Sequence, residues 1–260
     1  MKRYIHILIT VLALATTSSC EGDKDVPSII TGNVAVLSNQ TLTSSYMSQS
    51  MKFNLILPGS YNLEEDKTYP VLYLLHGMGD DNTSWITKGN AATWIQQAIK
   101  NNVVPELIVV MPDAQVSFYT GNYEQYFQQE LIPYIESHYR TINARSNRFI
   151  AGLSMGGYGT LYHALKYPEK FALAFSMSPV DLNGDITHLI SQHSGTGLPA
   201  LTIDAGENDF VVNDHPEKIH LALEAKGIPH EWIYRSGGHD WTFWQVSLQT
   251  ALKQIGTLLN

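Results

Sequence analysis

Three residue types at wide spacing could carry acyl-transfer chemistry: a serine between glycines, a histidine and a carboxylate. Ser154 lies in Gly152-Leu153-Ser154-Met155-Gly156, a G-x-S-x-G pattern. Glycine on either side lets the backbone make a sharp strand-to-helix turn that lifts a hydroxyl clear of a sheet. Such a hydroxyl attacks a carbonyl only when a base takes its proton, and the base needs an acid to hold its tautomer. His239 is the best-placed base. It sits in Ser236-Gly237-Gly238-His239-Asp240-Trp241, where the glycine pair frees a loop to swing an imidazole back over the serine. His163 falls in the helix behind Ser154, where packing is the expected role. His188, His193, His215, His220 and His230 lie in polar segments and read as solvated. The acid belongs between serine and base, just past a strand end. Asp209 fits, with Asp204 as its rival inside the preceding strand. Asp181, Asp185 and Asp214 read as loop carboxylates or helix caps.

A second cluster of small residues supplies what a serine reaction also needs, backbone donors for the negative charge that builds on the attacked oxygen. The apolar run Val71–Leu75 leads into His76-Gly77-Met78-Gly79. Small residues let backbone approach a tetrahedral oxyanion to about 2.7–3.1 Å. The N–H groups expected there are those of Met78 and of Met155, the residue after the serine. The plainer reading of His76–Gly79 is a tight turn closing a strand.

These groups must be held by alternating strands and helices. Residues 32–38 and 51–57 read as two antiparallel opening strands. Residues 71–75, 107–111, 147–151, 171–176, 200–204 and 231–235 read as later strands, and 91–101, 123–140, 157–167, 214–226 and 241–258 as helices. This alternation predicts an α/β fold with a mostly parallel central sheet and helices on both faces. Ser178 to Leu198 is too short for a large cap domain, so an open, shallow site is expected. Trp85, Phe118, Tyr119 and Trp241 fall near the loops after the strands and are expected as an aromatic, substrate-binding rim. Phe243 and Trp244 are expected to pack the last helix on the sheet.

From Met51 to Leu258 the chain resembles the esterase D-like family of α/β-hydrolases. The residues that carry the resemblance are Tyr69–Gly79 with Trp85, Met111-Pro112-Asp113, Glu130–Glu136 with Tyr139-Arg140, Ala151–Gly157, Gly206–Asp209 and Gly237–Asp240. The family includes feruloyl and acetylxylan esterases, S-formylglutathione hydrolases, siderophore esterases and mycolyltransferases. The resemblance implies an α/β-hydrolase fold with Ser154 as nucleophile, Asp209 as acid, His239 as base and the Met78 and Met155 amides as oxyanion donors. It implies ester hydrolysis without a cofactor or metal.

Composition narrows the partners. The net charge is −8 over 260 residues, which argues against a nucleic-acid partner, since phosphate binding needs a basic face. No cysteine or histidine cluster has metal-ligand spacing, and no phosphate-binding glycine fingerprint occurs. The only cysteine is Cys20. It follows a basic Met1-Lys2-Arg3, an apolar stretch from Tyr4 to Ala15 and the small residues Thr16–Ser19, as in a bacterial lipoprotein signal. Thr17 stands where leucine is usual. Residues 1–19 are thus expected to be a signal peptide of lipoprotein type, 20–30 a polar tether, and 31–260 the esterase domain. Export to the bacterial cell envelope, with Cys20 lipidated as the only membrane attachment, follows as an expectation. The favoured substrate is a feruloyl or acetyl ester of a plant polysaccharide fragment. The alternatives are another small ester, such as a siderophore lactone or short-chain acyl ester, and a non-catalytic carbohydrate-binding lipoprotein.

Overall fold

The computed structural model describes residues 32–260. The expectations for residues 1–30, Cys20 among them, lie outside the described residues. Eight strands form one sheet in the order β1-β2-β4-β3-β5-β6-β7-β8. They are β1 (Ala35–Ser44), β2 (Gln49–Leu57), β3 (Val71–Leu75), β4 (Ile108–Pro112), β5 (Arg148–Leu153), β6 (Leu173–Met177), β7 (Ala200–Gly206) and β8 (Glu231–Arg235). β1 and β2 are antiparallel to their neighbours, and every pairing from β4 to β8 is parallel.

The period-2 alternation of β3 explains the layers. Val71, Tyr73 and Leu75 face one core, Leu72 and Leu74 the other, and all five are buried. The first core is closed by α5 (Met155–Lys166), α6 (Asp185–Gln192), α7 (His215–Ala225) and the helical segment from Asn122 to His138. The second is closed by α1 (Ser84–Thr87), α2 (Ala91–Lys100) and α8 (Trp241–Leu259). The expected mostly parallel α/β sheet with helices on both faces is therefore present, without a large cap.

Three local expectations change. The opening strand runs to Ser44 rather than ending at 38, because a register shift between Leu37 and Gln40 lets a polar edge strand keep pairing with β2. The stretch 123–140 is not one α-helix: α3 (Asn122–Gln125) and α4 (Ile132–His138) flank a π-helical segment at Tyr126–Leu131. Pro133 has no N–H to give to the carbonyl four residues back, so the α ladder is reset there. Finally, α6 lies in the Ser178–Leu198 segment, which was not among the expected helices, held by buried Ile186 and Ile190.

Candidate active site

The candidate residues converge at the carboxyl ends of β3, β5, β7 and β8, where open parallel sheets build their sites. Ser154 joins β5 to α5 with φ 54° and ψ −116°. A non-glycine residue in that region is strained, and it persists only where surrounding structure holds it. Here the Ser154 N–H donates to the Met177 carbonyl at 2.8 Å. The flanking glycines exist for space. A Cβ on Gly152 would lie 2.5 Å from the Gly156 oxygen, and one on Gly156 would lie 2.6 Å from the Leu75 oxygen. The first turn of α5 can thus press directly on β3.

His239 bridges the other two groups. Its Nε2 lies 3.0 Å from Ser154 Oγ and its Nδ1 2.8 Å from Asp209 Oδ2. The Asp209 carboxylate accepts only, so Nδ1 carries the hydrogen and Nε2 is the acceptor for the serine hydroxyl. Asp209 is buried, and its other oxygen accepts the Val211 and Val212 N–H groups at 3.2 Å. Burial works to raise this carboxyl, but the His239 hydrogen bond and charge outweigh it and hold the group below the usual aspartate range. Asp240 caps α8 by accepting the Phe243 N–H at 3.0 Å, fixing the chain just after the base. The rival Asp204 is fully buried and paired with Arg235 at 2.8 Å, under the β7–β8 junction.

The His76–Gly79 turn lies against Ser154: a Cβ on Gly77 would fall 3.5 Å from the Ser154 Cβ. Neither the Met78 nor the Met155 N–H is engaged by another group among the described residues. His76 braces the turn. Its Nε2 accepts the Ala114 N–H at 2.8 Å, which leaves Nδ1–H to donate to the Gly77 carbonyl at 2.8 Å. Burial lowers its pKa and keeps the ring neutral.

Two of the four expected rim residues are corrected by their burial. Trp85 and Tyr119 are 1% and 0% exposed, so neither can meet a ligand. Both support the turn from below: the Trp85 indole N–H donates to the Leu75 carbonyl and the Tyr119 hydroxyl to the His76 carbonyl, each at 3.0 Å. Trp241 also belongs to packing, edge-to-face with Trp85 at 5.1 Å and with Trp244 at 5.4 Å between ring centroids. Trp244 in turn meets the His239 ring edge-to-face at 4.8 Å. Phe118 alone of the four lines the cavity at Ser154, which measures about 540 Å³ and also touches Met78, Met155, His215 and His239. The larger groove of about 720 Å³, between Ala200 and Lys253, holds none of the converging residues. Sequence patterning missed several lining residues, among them Val180, Leu182, Asn183 and Val211, and it read His215 as solvated. The place of His215 before Pro216, at the start of a helix following a strand end, was the available signal.

His163 is buried as packing logic expects. It accepts from the Gln128 amide and donates to the Tyr119 carbonyl, each at 3.0 Å. Burial lowers its pKa from 6.5 to about 4. Between those values the unfolded chain binds a proton that the folded chain does not, so stability falls as pH drops from about 6.5 toward 4. The expected contribution is on the order of 3 kcal/mol across that window. His163→Phe is expected to flatten the dependence of Tm on pH there, while lowering Tm near neutrality; an unchanged slope would show that His163 is not the group responsible.

Among the described residues no group of three or more histidine, cysteine or acidic side chains could hold a metal. The arrangement is one that can carry acyl transfer. The family described as Putative esterase matches residues 44–255. The acetyl esterase of Caldicellulosiruptor saccharolyticus is 27% identical over 232 residues, 73% of this chain and 84% of that one. The endo-1,4-beta-xylanase/feruloyl esterase of Xylanibacter ruminicola is 28% identical over 223 residues, 78% of this chain but 29% of that longer protein. Among solved structures, a ferulic acid esterase superposes with a TM-score of 0.81 at 27% identity, over 87% of this chain and 99% of that one. The fold is that of the α/β-hydrolases.

Proposed function

The chain belongs to the Putative esterase family and is an esterase; on that premise we propose that it is a serine carboxylester hydrolase acting on feruloyl or acetyl esters of plant polysaccharide fragments. The observation that carries the mechanism is the unbroken path from Ser154 through His239 to Asp209. His239 Nε2 takes the Ser154 proton as Oγ attacks the ester carbonyl. The Asp209 carboxylate holds the Nδ1–H tautomer and stabilises the imidazolium. The Met78 and Met155 N–H groups receive the oxyanion, each worth on the order of 10²–10³ in rate. Collapse of the tetrahedral intermediate breaks the ester C–O bond, and the imidazolium protonates the departing alcohol. Water, deprotonated by His239, then releases the acid from Ser154.

Relatives named for acetyl and feruloyl ester hydrolysis support the acyl groups. Phe118 supplies an aromatic wall for a planar acyl chain. The test is a panel of methyl ferulate, acetylated xylan, p-nitrophenyl acetate and p-nitrophenyl butyrate. Turnover of the first two above the simple esters is the expected result. Preference for p-nitrophenyl butyrate with no action on the polysaccharide esters would refute the substrate class and leave a general short-chain esterase.

We also propose that the enzyme is exported and held at the cell envelope by lipid on Cys20. No helix of the described residues is long and apolar enough to cross a membrane. Acyl chains on Cys20 would supply the attachment, since several together anchor firmly. Cys20→Ala is expected to move the protein from the membrane to the soluble fraction. Identical fractionation of mutant and wild type as soluble protein would remove the anchor.

A further inference from the structure

We propose that His215 is the hydrogen-bond donor by which the cavity selects acyl groups bearing an oxygen substituent, a specificity role that rests on the serine esterase reading above. His215 opens α7 and lines the cavity shared by Ser154 and His239. Its Nδ1 accepts the Asp181 N–H at 3.0 Å. That bond fixes the tautomer, so the remaining ring nitrogen, Nε2, carries a hydrogen. No group among the described residues accepts it. Asp181 is itself immobile: its carboxylate accepts the Ile186 N–H and the Thr187 hydroxyl, each at 2.7 Å. Those bonds hold the loop that aims the Asp181 amide at the ring, and they occupy the carboxylate that would otherwise compete for a ligand hydroxyl.

The rest of the chamber decides which half of an ester meets this donor. Phe118 and Val180 form its inner side walls and the exposed Leu182 and Val211 its mouth, with Asn183 and Asp181 the other polar residues beside His215, Ser154 and His239. Apolar walls favour the less hydrated half of the substrate, the acyl group, and leave a sugar alcohol toward water. One fixed donor in such surroundings sets orientation and discriminates by what it would leave unpaired. A cinnamoyl chain with a ring hydroxyl or methoxyl offers an acceptor oxygen; plain cinnamoyl and short alkanoyl chains offer none beyond the reacting carboxyl. The ligand class is therefore a hydroxylated or alkoxylated aromatic acyl group.

The experiment compares kcat/KM for methyl 4-hydroxycinnamate and methyl cinnamate in wild type, His215→Phe and His215→Gln. Wild type is expected to favour the hydroxylated ester by about 5- to 10-fold, the worth of one neutral hydrogen bond. His215→Phe should bring the ratio to about one by a larger loss on the hydroxylated ester than on plain methyl cinnamate, chiefly in KM. His215→Gln, which can still accept from Asp181 and donate to the ligand, should restore part of the ratio. Should the Phe variant not fold, the Gln variant and the relative binding of the two free acids to Ser154→Ala protein carry the test; equal binding overturns the proposal. Equal loss on both esters in His215→Phe, or a ratio that ignores residue 215, also overturns it while leaving the esterase reading intact. Failure of wild type to act on either cinnamate refutes the aromatic acyl assignment itself.

Discussion

Ser154→Ala is expected to reduce ester hydrolysis by on the order of 10⁶-fold in kcat, the scale of losing a nucleophile whose partners act as a unit. The fold should survive. Ser154 Oγ has one side-chain partner, His239 Nε2 at 3.0 Å, and the main-chain bond from its N–H to Met177 does not depend on the hydroxyl. Alanine must adopt the same φ of 54°, so the strain of the turn is common to both proteins. The check pairs initial rates on p-nitrophenyl acetate with thermal unfolding. It adds a fluorophosphonate probe, which should label wild type at Ser154 and leave the variant unlabelled. Activity above a few per cent in a variant with unchanged Tm would remove Ser154 from the chemistry.

The second largest effect should come from the acid. Asp209→Asn keeps size and hydrogen bonding but presents an amide to His239 Nδ1, 2.8 Å away. An amide N–H there forces the hydrogen onto Nε2, the nitrogen that must be bare to accept the serine proton. The loss in kcat is expected to approach ~10⁴-fold, with KM little changed. Asp204→Asn is the informative contrast. Asp204 faces Arg235 at 2.8 Å, not the base, and removing its charge leaves the guanidinium with neutral acceptors only, such as Ser247 Oγ at 2.9 Å. A lowered Tm with kcat held within a few-fold is the expected outcome. Reversal of the two effects, with Asp204→Asn silencing a folded enzyme, would reassign the acid.

The parts legible in the residues were those written as local backbone demands. The turns at Gly152–Gly156, His76–Gly79 and Gly237–His239 need small residues at fixed offsets, and the strands before them are short apolar runs. Asp209 could be preferred to Asp204 because a strand end differs from a strand interior. What escaped reading was depth. Trp85 and Tyr119 sit in loop sequence like rim residues, but each has a polar tip that can satisfy a buried carbonyl, at Leu75 and at His76. An aromatic residue near a site is thus ambiguous until its N–H or O–H partner is known. The edge strand β1 was truncated in the reading because Ser38, Asn39, Gln40 and Thr41 are polar, which suits an exposed edge as well as a loop. His215 lay in a charged segment, and only the partnership with the Asp181 amide reveals its orientation.

The order in which the site's parts leave the ribosome differs from the order in which they become useful. Ser154 and His239 are separated by 85 positions, and Asp209 and His239 by 30. The histidine follows β8, which pairs only with β7 at the sheet's margin, and precedes α8, which packs back on the second core. Such distant contacts close late, after the costs of loop closure have been met. During synthesis the serine turn, its amides and most of the sheet exist before the base does. A nascent or C-terminally clipped chain would carry an unactivated hydroxyl and be inert toward esters. Hydrolytic competence is in this sense a report that the chain has been made and folded at least through α8.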